Sequence, residues 1–447
     1  MKPLRLLIAL LVLGALAGAV WYSERHPPEL KSETAAKTEK IISTTEDQVQ
    51  KIELAHLAGG DTIDLGRGED GKWRITAPKQ YKADESAMST MVTNLAALNA
   101  DQLVNPKNTD WKPYGLDPGK LGVTLSLKNG KQIKLTLGDD VPAGSGVYAR
   151  LDGDPRLFTI ASYIKSGVDK SLLDLRDKRL LPFDSEKVSR VTVKTKDQTL
   201  EFDKAGSNWQ IVKPHPIRAD SFAVDDIVRS VQNANFDSIL DESGKPTPKY
   251  SFSTPYAMFE AVDPSGVHTL TIGREGKDKD YTYYAKTSAE PGVFKIASTV
   301  AEGLNKKLDD LRNKKLFDFG WSDPQKLDVR DGGLHMVIER KGDKWQRTDA
   351  GNKQLASEKV QTLIDHLRNL SATSFPSDDA AAQAKYGLNK PLADLKVTSD
   401  TGKRMERVLL AAGPESKYYA ARENEPATYQ IDNSSYDDIH KAIEGLR

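Results

Sequence analysis

The sequence predicts an α+β protein of three tandem homologous units, each made mostly of antiparallel strands with two helices, after an N-terminal transmembrane helix. One short motif, centred on a tryptophan, occurs at Trp73, Trp209 and Trp345. The spacing is constant, since 209 − 73 and 345 − 209 both equal 136, and such a period is typical of one domain copied in tandem. An apolar run before the first copy predicts the membrane segment.

Composition excludes several classes of function. The 447 residues are 38% hydrophobic and 29% charged, which is typical of a folded protein. Lys plus Arg and Asp plus Glu number 64 each, so we predict no nucleic-acid partner, because no net positive charge favours one. The chain contains no cysteine, which excludes disulfide bonds, thiolate metal sites and a cysteine nucleophile.

The N-terminal segment predicts an extracytoplasmic protein in two alternative ways. The apolar run extends from Leu6 to Tyr22, roughly long enough to span a bilayer, and its aromatic end suits the membrane interface. Alternatively, Ala15-Leu16-Ala17 resembles the small-residue cleavage site of a secretory signal peptide. We favour the uncleaved anchor, which predicts a single-pass protein of the inner membrane, with a cytoplasmic N-terminus and its bulk in the periplasm.

The chain beyond this run divides into predicted segments. The first is polar, contains Pro27 and Pro28, and is predicted to be a flexible tether. The first two units continue into a basic connector that the last unit lacks, so this connector is predicted to pack onto the next unit. The plan is an anchor or signal segment at 1–22, a tether at 23–45, and repeat units at 46–184, 185–320 and 321–447.

Each unit is predicted to run β-β-β-α-β-β-β-β-α. The tryptophan lies on the third strand, and a good N-cap residue then starts a helix whose apolar residues recur every three to four positions. The predicted N-caps are Asp84, Asp220 and Ser357. The loop after the helix carries a turn glycine at Gly115 and Gly387, where a left-handed backbone is expected. The middle unit has Ser251 there, so the turn is interpreted as tolerant rather than catalytic.

Four strands and a closing helix complete the unit. A glycine is predicted to end the second of these strands, and an aromatic position recurs on the third. The glycines are Gly138, Gly273 and Gly413. The aromatic residues are Tyr148, Tyr284 and Tyr419. The closing helix is predicted from apolar residues spaced three to four apart, which in the first unit are Ile164, Val168, Leu172 and Leu175.

The recurring aromatic residues have a functional and a structural interpretation. The tryptophans could stack on sugars or aromatic ligands, but a large strand residue is also expected to cover the helix. The tyrosines could form a ligand or partner surface, although aromatic residues favour strands in any case. We favour packing for both sets, and keep Tyr148, Tyr284 and Tyr419 as the candidate ligand or partner surface.

Charged residues form no recognisable reaction centre. The basic runs 176–179 and 312–315 are expected at solvated helix ends, because cations complement the helix dipole there. Acidic pairs such as Asp225 and Asp226 are expected on exposed helix faces. The seven histidines occupy no equivalent places in the three units and form no paired metal-ligand motif. We therefore predict no catalytic residue, no metal site and no cofactor.

Several motifs in a fixed order resemble a known family. They are a Trp-x-Ile strand followed by Pro78 or Pro214, an Ala-Asp helix start, Tyr-Gly-Leu-x-x-Pro, a Tyr-Ala-Arg strand and Asp-Leu-Arg-x-Lys. Together they resemble the bacterial family called domain of unknown function 4340. The third unit departs most, with Ala350 in place of the proline. The resemblance implies an anchored envelope protein without assigned activity, similar in some members to accessory proteins of ABC transporters of the gliding-motility type.

The sequence thus predicts a non-enzymatic, membrane-anchored periplasmic scaffold or binding protein, accessory to an ABC-type transporter or an envelope assembly system. One alternative is a periplasmic module that binds glycan or peptide through the repeated aromatic residues. Another is an envelope hydrolase, which a deep pocket lined by acids or histidines would favour.

Overall fold

A computed structural model describes residues 39–57, 59–142, 145–243, 248–277, 280–320 and 324–447. The predicted anchor at 1–22 and most of the predicted tether lie outside these residues. Within the described ranges, no helix combines the length and the apolar character needed to cross a membrane. The chain divides into two compact units, the first ending at Lys178 and the second running from Arg179 to Arg447. The first unit holds one repeat and the second holds two.

Each repeat is built on one antiparallel sheet of nine strands. In the first repeat, the order is β4-β3-β2-β1-β6-β7-β8-β9-β5, and the same order recurs in the other two. The strands are β1 Val49–His56, β2 Thr62–Arg67, β3 Trp73–Ala77, β4 Tyr81–Lys82, β5 Gln102–Asn105, β6 Leu121–Leu127, β7 Gln132–Asp140, β8 Val147–Leu151 and β9 Leu157–Ile160. The helices are Glu85–Ala96, Ser162–Val168 and Leu172–Leu175.

The second and third repeats follow the same plan. The second has β10 Arg190–Thr195, β11 Thr199–Ala205, β12 Asn208–Lys213, β13 Ile217–Arg218, β14 Phe236–Asp241, β15 Ala257–Asp263, β16 Gly266–Lys277, β17 Asp280–Thr287 and β18 Val293–Ile296, with helices Ser221–Gln232, Ser298–Leu304 and Leu308–Leu311. The third has β19 Lys326–Asp331, β20 Leu334–Lys341, β21 Lys344–Arg347, β22 Lys353–Leu355, β23 Ala372–Ser377, β24 Ala393–Ser399, β25 Arg404–Ala412, β26 Tyr418–Arg422 and β27 Thr428–Ile431, with helices Ser357–Asn369 and Asn433–Glu444.

The predicted threefold repeat is confirmed, but each repeat contains two more strands than the seven predicted. The extra strands are β4 and β5 in the first repeat and their counterparts in the others. β4 has two residues and β5 is exposed along three of its four positions. Neither therefore carries the alternating burial from which a strand is recognised in a sequence, and the protein is more strongly β than expected.

Two of the three predicted helix caps are confirmed. The carboxylate of Asp84 accepts hydrogen bonds from the backbone N–H groups at the helix start, and Asp220 does the same. Ser357 is not the cap, because it is the first helical residue and Ala356 precedes it without a side-chain hydrogen bond. Ala356 lies 136 residues after Asp220, so the register of the repeat is kept while the capping oxygen is absent.

The closing helix is single only in the third repeat. In the first repeat, the chain breaks between Val168 and Leu172, and Ser171 forms a capping box with Asp174 that starts a second short helix. The second repeat is divided in the same way, whereas Asn433–Glu444 is continuous. The apolar spacing alone could not show this break, because the residues on either side keep the helical period.

The connector packs onto the unit that follows it, as predicted. The N–H of Leu180 donates to the carbonyl of Ala234 in the second repeat, and the N–H of Leu316 donates to the carbonyl of Leu370 in the third. The end of the predicted tether behaves in the same way in the first unit, where Ile41 and Ile42 are buried and donate to the carbonyl of Leu98. Each repeat thus begins with a basic residue and two buried apolar residues ahead of its first strand.

Candidate functional site

The three recurring tryptophans are buried. Trp73, Trp209 and Trp345 are 3%, 2% and 6% exposed, and the N–H of the Trp209 indole donates to Asp225 at 2.7 Å. A ring used as a stacking platform needs an open face, and these rings have none. Asp225 is half-buried rather than fully exposed as expected, because it accepts the hydrogen bond of this tryptophan.

Each of the three candidate tyrosines lies in a different repeat. Each packs against the tyrosine of the turn motif in its own repeat, with ring centres 5.0, 5.0 and 4.8 Å apart. Tyr284 and Tyr419 are 7% and 4% exposed, whereas Tyr148 is half-buried. Burial raises the pKa of both Tyr284 and Tyr419. Each candidate tyrosine is therefore a packing residue of its own repeat, and Tyr284 and Tyr419 leave little ring surface for a ligand.

The recurring glycines allow a loop to approach a strand closely. Gly115 and Gly387 have φ angles of 62° and 80°, and Ser251 takes the same left-handed conformation at 56°. A Cβ at Gly273 would lie 1.8 Å from the carbonyl oxygen of Tyr250. The equivalent distance from Gly138 to the carbonyl of Tyr114 is 2.2 Å.

The predicted role of these glycines as strand ends is wrong in the first two repeats. β7 continues beyond Gly138 and β16 beyond Gly273, since a glycine admits the neighbouring loop without interrupting the ladder. Gly413 follows the end of β25. Gly273 pairs with Tyr284, and Ala411 pairs with the equivalent Tyr419. Ala411 is therefore the counterpart of Gly273, and Gly413 lies two residues beyond that position.

A cluster of five charged residues and one tyrosine lies between the second and third repeats, inside the second compact unit. We call it the junction cluster, and it comprises Arg218, Asp318, Glu406, Arg422, Glu425 and Tyr429. Arg218 lies on the edge strand β13 and donates to Asp318 at 2.6 Å and to Glu425 at 2.7 Å. Arg422, at the end of β26, donates to Glu425 at 2.9 Å and to Glu406 at 3.2 Å. The connector and the third repeat therefore surround an arginine of the second repeat with acids.

The connector ties this cluster to the backbone. The N–H of Asp318 donates to Glu406 at 2.8 Å, and Arg218 also donates to the carbonyl of Lys315 at 2.8 Å. Burial raises the pKa of Tyr429 to about 12, and the charge of Glu425, which accepts the hydrogen bond of this phenol, acts in the same direction. Burial opposes the charge of Arg218, but Glu425 and Asp318 outweigh it and raise its pKa.

A second ion pair crosses the same junction. Arg312 is 2% exposed and donates to both oxygens of Asp378, at 3.1 and 2.6 Å. Its guanidinium lies 3.8 Å from the ring centre of Phe375. The expectation of a solvated helix end at 312–315 is therefore wrong for Arg312, because a planar guanidinium can stack on a ring and bind a carboxylate at the same time.

A cleft of about 190 Å³ opens beside these ion pairs. His215, Arg312, Asp378 and Glu425 line it, and Nε2 of His215 lies 3.3 Å from Asp378. Its volume is smaller than that of ligand pockets in general, and both acids already bind arginine. Among the described residues, no group of three or more acidic, histidine or cysteine side chains could hold a metal ion. The arrangement joins two repeats through charge, and both acids that line the cleft are engaged by arginines.

Sequence reasoning missed the junction cluster because its acids and arginines do not recur. Lys82 lies 136 residues before Arg218 and Pro182 lies 136 before Asp318. A search for shared residues in the repeats therefore passes over them. The signal that could have found them is a lack of recurrence, namely a charged residue in one repeat at a position where the other repeats carry a different residue.

Comparison with known proteins identifies a family. A family model described as "Domain of unknown function (DUF4340)" matches residues 73–208, 209–391 and 345–447, and each segment begins at one of the three recurring tryptophans. No curated protein matches the chain. The crystal structure of BBS1N in complex with ARL6DN, soaked with lead, aligns with 88% of this chain and 92% of that chain at 12% identity, but its TM-score of 0.10 is too low to carry an argument.

Proposed function

This chain belongs to the DUF4340 family, and we propose that it is a non-enzymatic scaffold or binding protein of the periplasm. In this proposal, the N-terminal segment anchors it in the inner membrane, and the repeats serve an ABC-type transporter or an envelope assembly system. The family description names no activity, so the proposal rests on the geometry of the repeats.

The junction cluster is the observation that carries the proposal. Buried ion pairs contribute little net stability, but they hold two surfaces in a defined arrangement when every charge has a partner. Here Arg218 and Arg422 are bound by acids from the connector and the third repeat. Such an arrangement suits a protein that presents surfaces in fixed positions, and it leaves no unpaired acid for catalysis.

Exposed apolar side chains give the proposal a direct test. Phe222, on helix Ser221–Gln232, is 82% exposed, and Met405, on β25, is 62% exposed. A photo-crosslinking phenylalanine analogue at either position of the full chain, expressed in membranes, should capture an integral component of a transport or assembly system. The analogue at exposed Lys390 is the matched control. Recovery of the lone protein at both apolar positions, with mass spectrometry showing no adduct, would contradict the proposal.

The two alternative functions have less support. Binding through the repeated tyrosines is not favoured, because Tyr284 and Tyr419 are buried and their hydroxyls donate to Glu275 and to the carbonyl of Pro414. A hydrolase would need a pocket with free acids, and the cleft beside the junction holds Asp378 and Glu425 in ion pairs.

A further inference from the structure

The second repeat carries a second, larger cleft of about 1020 Å³ at one end of its sheet. Its walls come from the end of β10 and the turn after it, the loop before β15, strand β16, and Asn305, which follows helix Ser298–Leu304. Three lining residues are cations and only one, Asp197, is an acid. The cations are Lys194, Lys196 and Arg274. The cleft therefore concentrates positive charge on a chain whose net charge is zero.

The equivalent place in the first repeat is neutralised by ion pairs. Nε2 of His56, at the end of β1, lies 3.1 Å from Asp169. Nζ of Lys120 lies 2.6 Å from Asp139. In the third repeat the first of these pairs is kept with its members exchanged, since Asp331 ends β19 and binds His440 from the closing helix.

Both acids of the first repeat are replaced in the second. Leu121 of β6 pairs with Leu137 of β7, and the corresponding pair in the second repeat is Ala257 of β15 with Ile272 of β16. Counted along β7 and β16 from these pairs, Asp139 and Arg274 take equivalent places, because each lies two residues farther on. Asp169 and Asn305 each follow the first closing helix directly. One acid has thus become a cation and the other a neutral amide.

Within the described part of the chain, the cations of the cleft are not held in ion pairs. None of the three forms an ion pair with any residue that the structure describes. The Arg274 guanidinium lies 4.7 Å from the ring centre of Tyr256 and 4.2 Å from that of Tyr281. Two rings therefore hold the guanidinium in place, while its N–H groups remain free to bind an anion.

We propose that this cleft binds an acidic glycan. Ser251, Ser253 and Thr254 also line the cleft, so hydroxyl side chains are available for sugar hydroxyls while the cations bind carboxylates. An acidic peptide is less suited, because extended peptides add to a free sheet edge and the edge strands β13 and β14 do not line the cleft. The choice of a glycan rests on the proposed periplasmic location.

Calorimetric titration of the purified full chain tests the inference, with trigalacturonate as the acidic probe and neutral galactotriose as its matched sugar. We expect the acidic trisaccharide to bind and the neutral one to bind at least about tenfold more weakly. Arg274→Gln should weaken trigalacturonate binding about tenfold or more, because it removes a charged hydrogen-bonding group. Lys403→Gln, an exposed lysine in the third repeat, should leave the affinity unchanged.

A second variant guards against a folding defect. Asn305→Asp restores the acid found in the first repeat and should weaken binding even if Arg274→Gln unfolds. Equal affinity for the two sugars, or no effect of either variant, would overturn the inference. Binding of inorganic phosphate as tight as that of trigalacturonate would show that the cleft is a general anion site. Tighter binding to anionic phospholipid vesicles would show that it contacts a membrane surface. Either result would overturn the proposal of an acidic glycan. Crosslinking at Phe222 and Met405 is independent of all these outcomes.

Discussion

At the residue scale, the chain uses arginine where a charge must be buried. Arg312 stacks on Phe375 and binds both oxygens of Asp378, and Arg218 binds acids on two sides. The planar guanidinium has five donors in a fixed fork, whereas a lysine offers a compact ammonium without a flat face. This difference explains why arginine can lie buried at the junction while most lysines of the chain stay exposed.

The Asp394 and Arg407 pair predicts a dependence of stability on pH. Arg407 donates to both oxygens of Asp394 at 2.8 Å, and these hydrogen bonds lower the pKa of Asp394. The pair therefore stabilises the fold fully above the pKa of an unfolded aspartate, about 3.9, and this contribution is lost as the pH falls through the lower folded pKa. Asp394→Asn should lower the free energy of unfolding by about 1 kcal/mol at pH 7.

Urea unfolding at pH 7, 5 and 3 measures this effect. The difference between wild type and Asp394→Asn should persist from pH 7 to 5 and shrink below about pH 4. Asp438→Asn, at an exposed acid on the closing helix, should change stability little at any of these values. A difference between wild type and Asp394→Asn that grows toward acid pH would contradict the prediction.

At the element scale, glycine in β16 allows the turn loop to lie against the strand. Gly273→Ala should destabilise the second repeat by on the order of 3 kcal/mol, because its Cβ would overlap the carbonyl of Tyr250 and the backbone would have to move. The matched control is Gly303→Ala in helix Ser298–Leu304, where the nearest atom lies 3.8 Å away. It should be neutral or stabilising by about 1 kcal/mol. Thermal unfolding of both variants decides the point.

The segment ahead of β1 is a structural element of the first repeat. Ile42 is 2% exposed, so Ile42→Ala should destabilise the first unit by about 3 kcal/mol through lost burial and the cavity that remains. Leu57→Ala, at a residue that is 44% exposed, should change stability much less. Hydrogen exchange at amides of β1 and β6 reports the effect, and unchanged protection in Ile42→Ala would show that this segment does not belong to the repeat.

At the scale of the whole molecule, the second and third repeats are joined by charge. Arg218→Met would leave Asp318 and Glu425 without their shared cation, so we expect a loss of about 3 kcal/mol in the second compact unit. Arg229→Met, which breaks an exposed pair with Asp226, should cost less than about 1 kcal/mol.

Denaturant unfolding that follows each repeat separately provides the measurement for Arg218→Met. In wild type, the second and third repeats should unfold in one transition, because buried partners link them, whereas in the variant their transitions should separate. One shared transition of unchanged midpoint in the variant would show that the ion pairs do not couple the repeats.

Much of the fold followed from periodicity, and little of the junction did. The tryptophans, the capping aspartates and the apolar connectors recur in sequence, so their places could be predicted. Strands β4 and β5 escaped prediction because one is too short and the other too exposed to alternate. Arg218, Asp318 and Glu425 lie far apart in the chain and occur in one copy each, so no local pattern marks them.

The sequence alone determined that one unit is repeated three times, that its tryptophan lies on a strand and that its helix begins at a capping aspartate in the first two repeats. These features depend on neighbours within a few positions, and local pattern records them. The tertiary structure alone decided which charges are buried, where the repeats exchange ion pairs and which repeat keeps an open cationic cleft. Those outcomes depend on residues brought together across a hundred or more positions, since burial and charge pairing are properties of the packed chain.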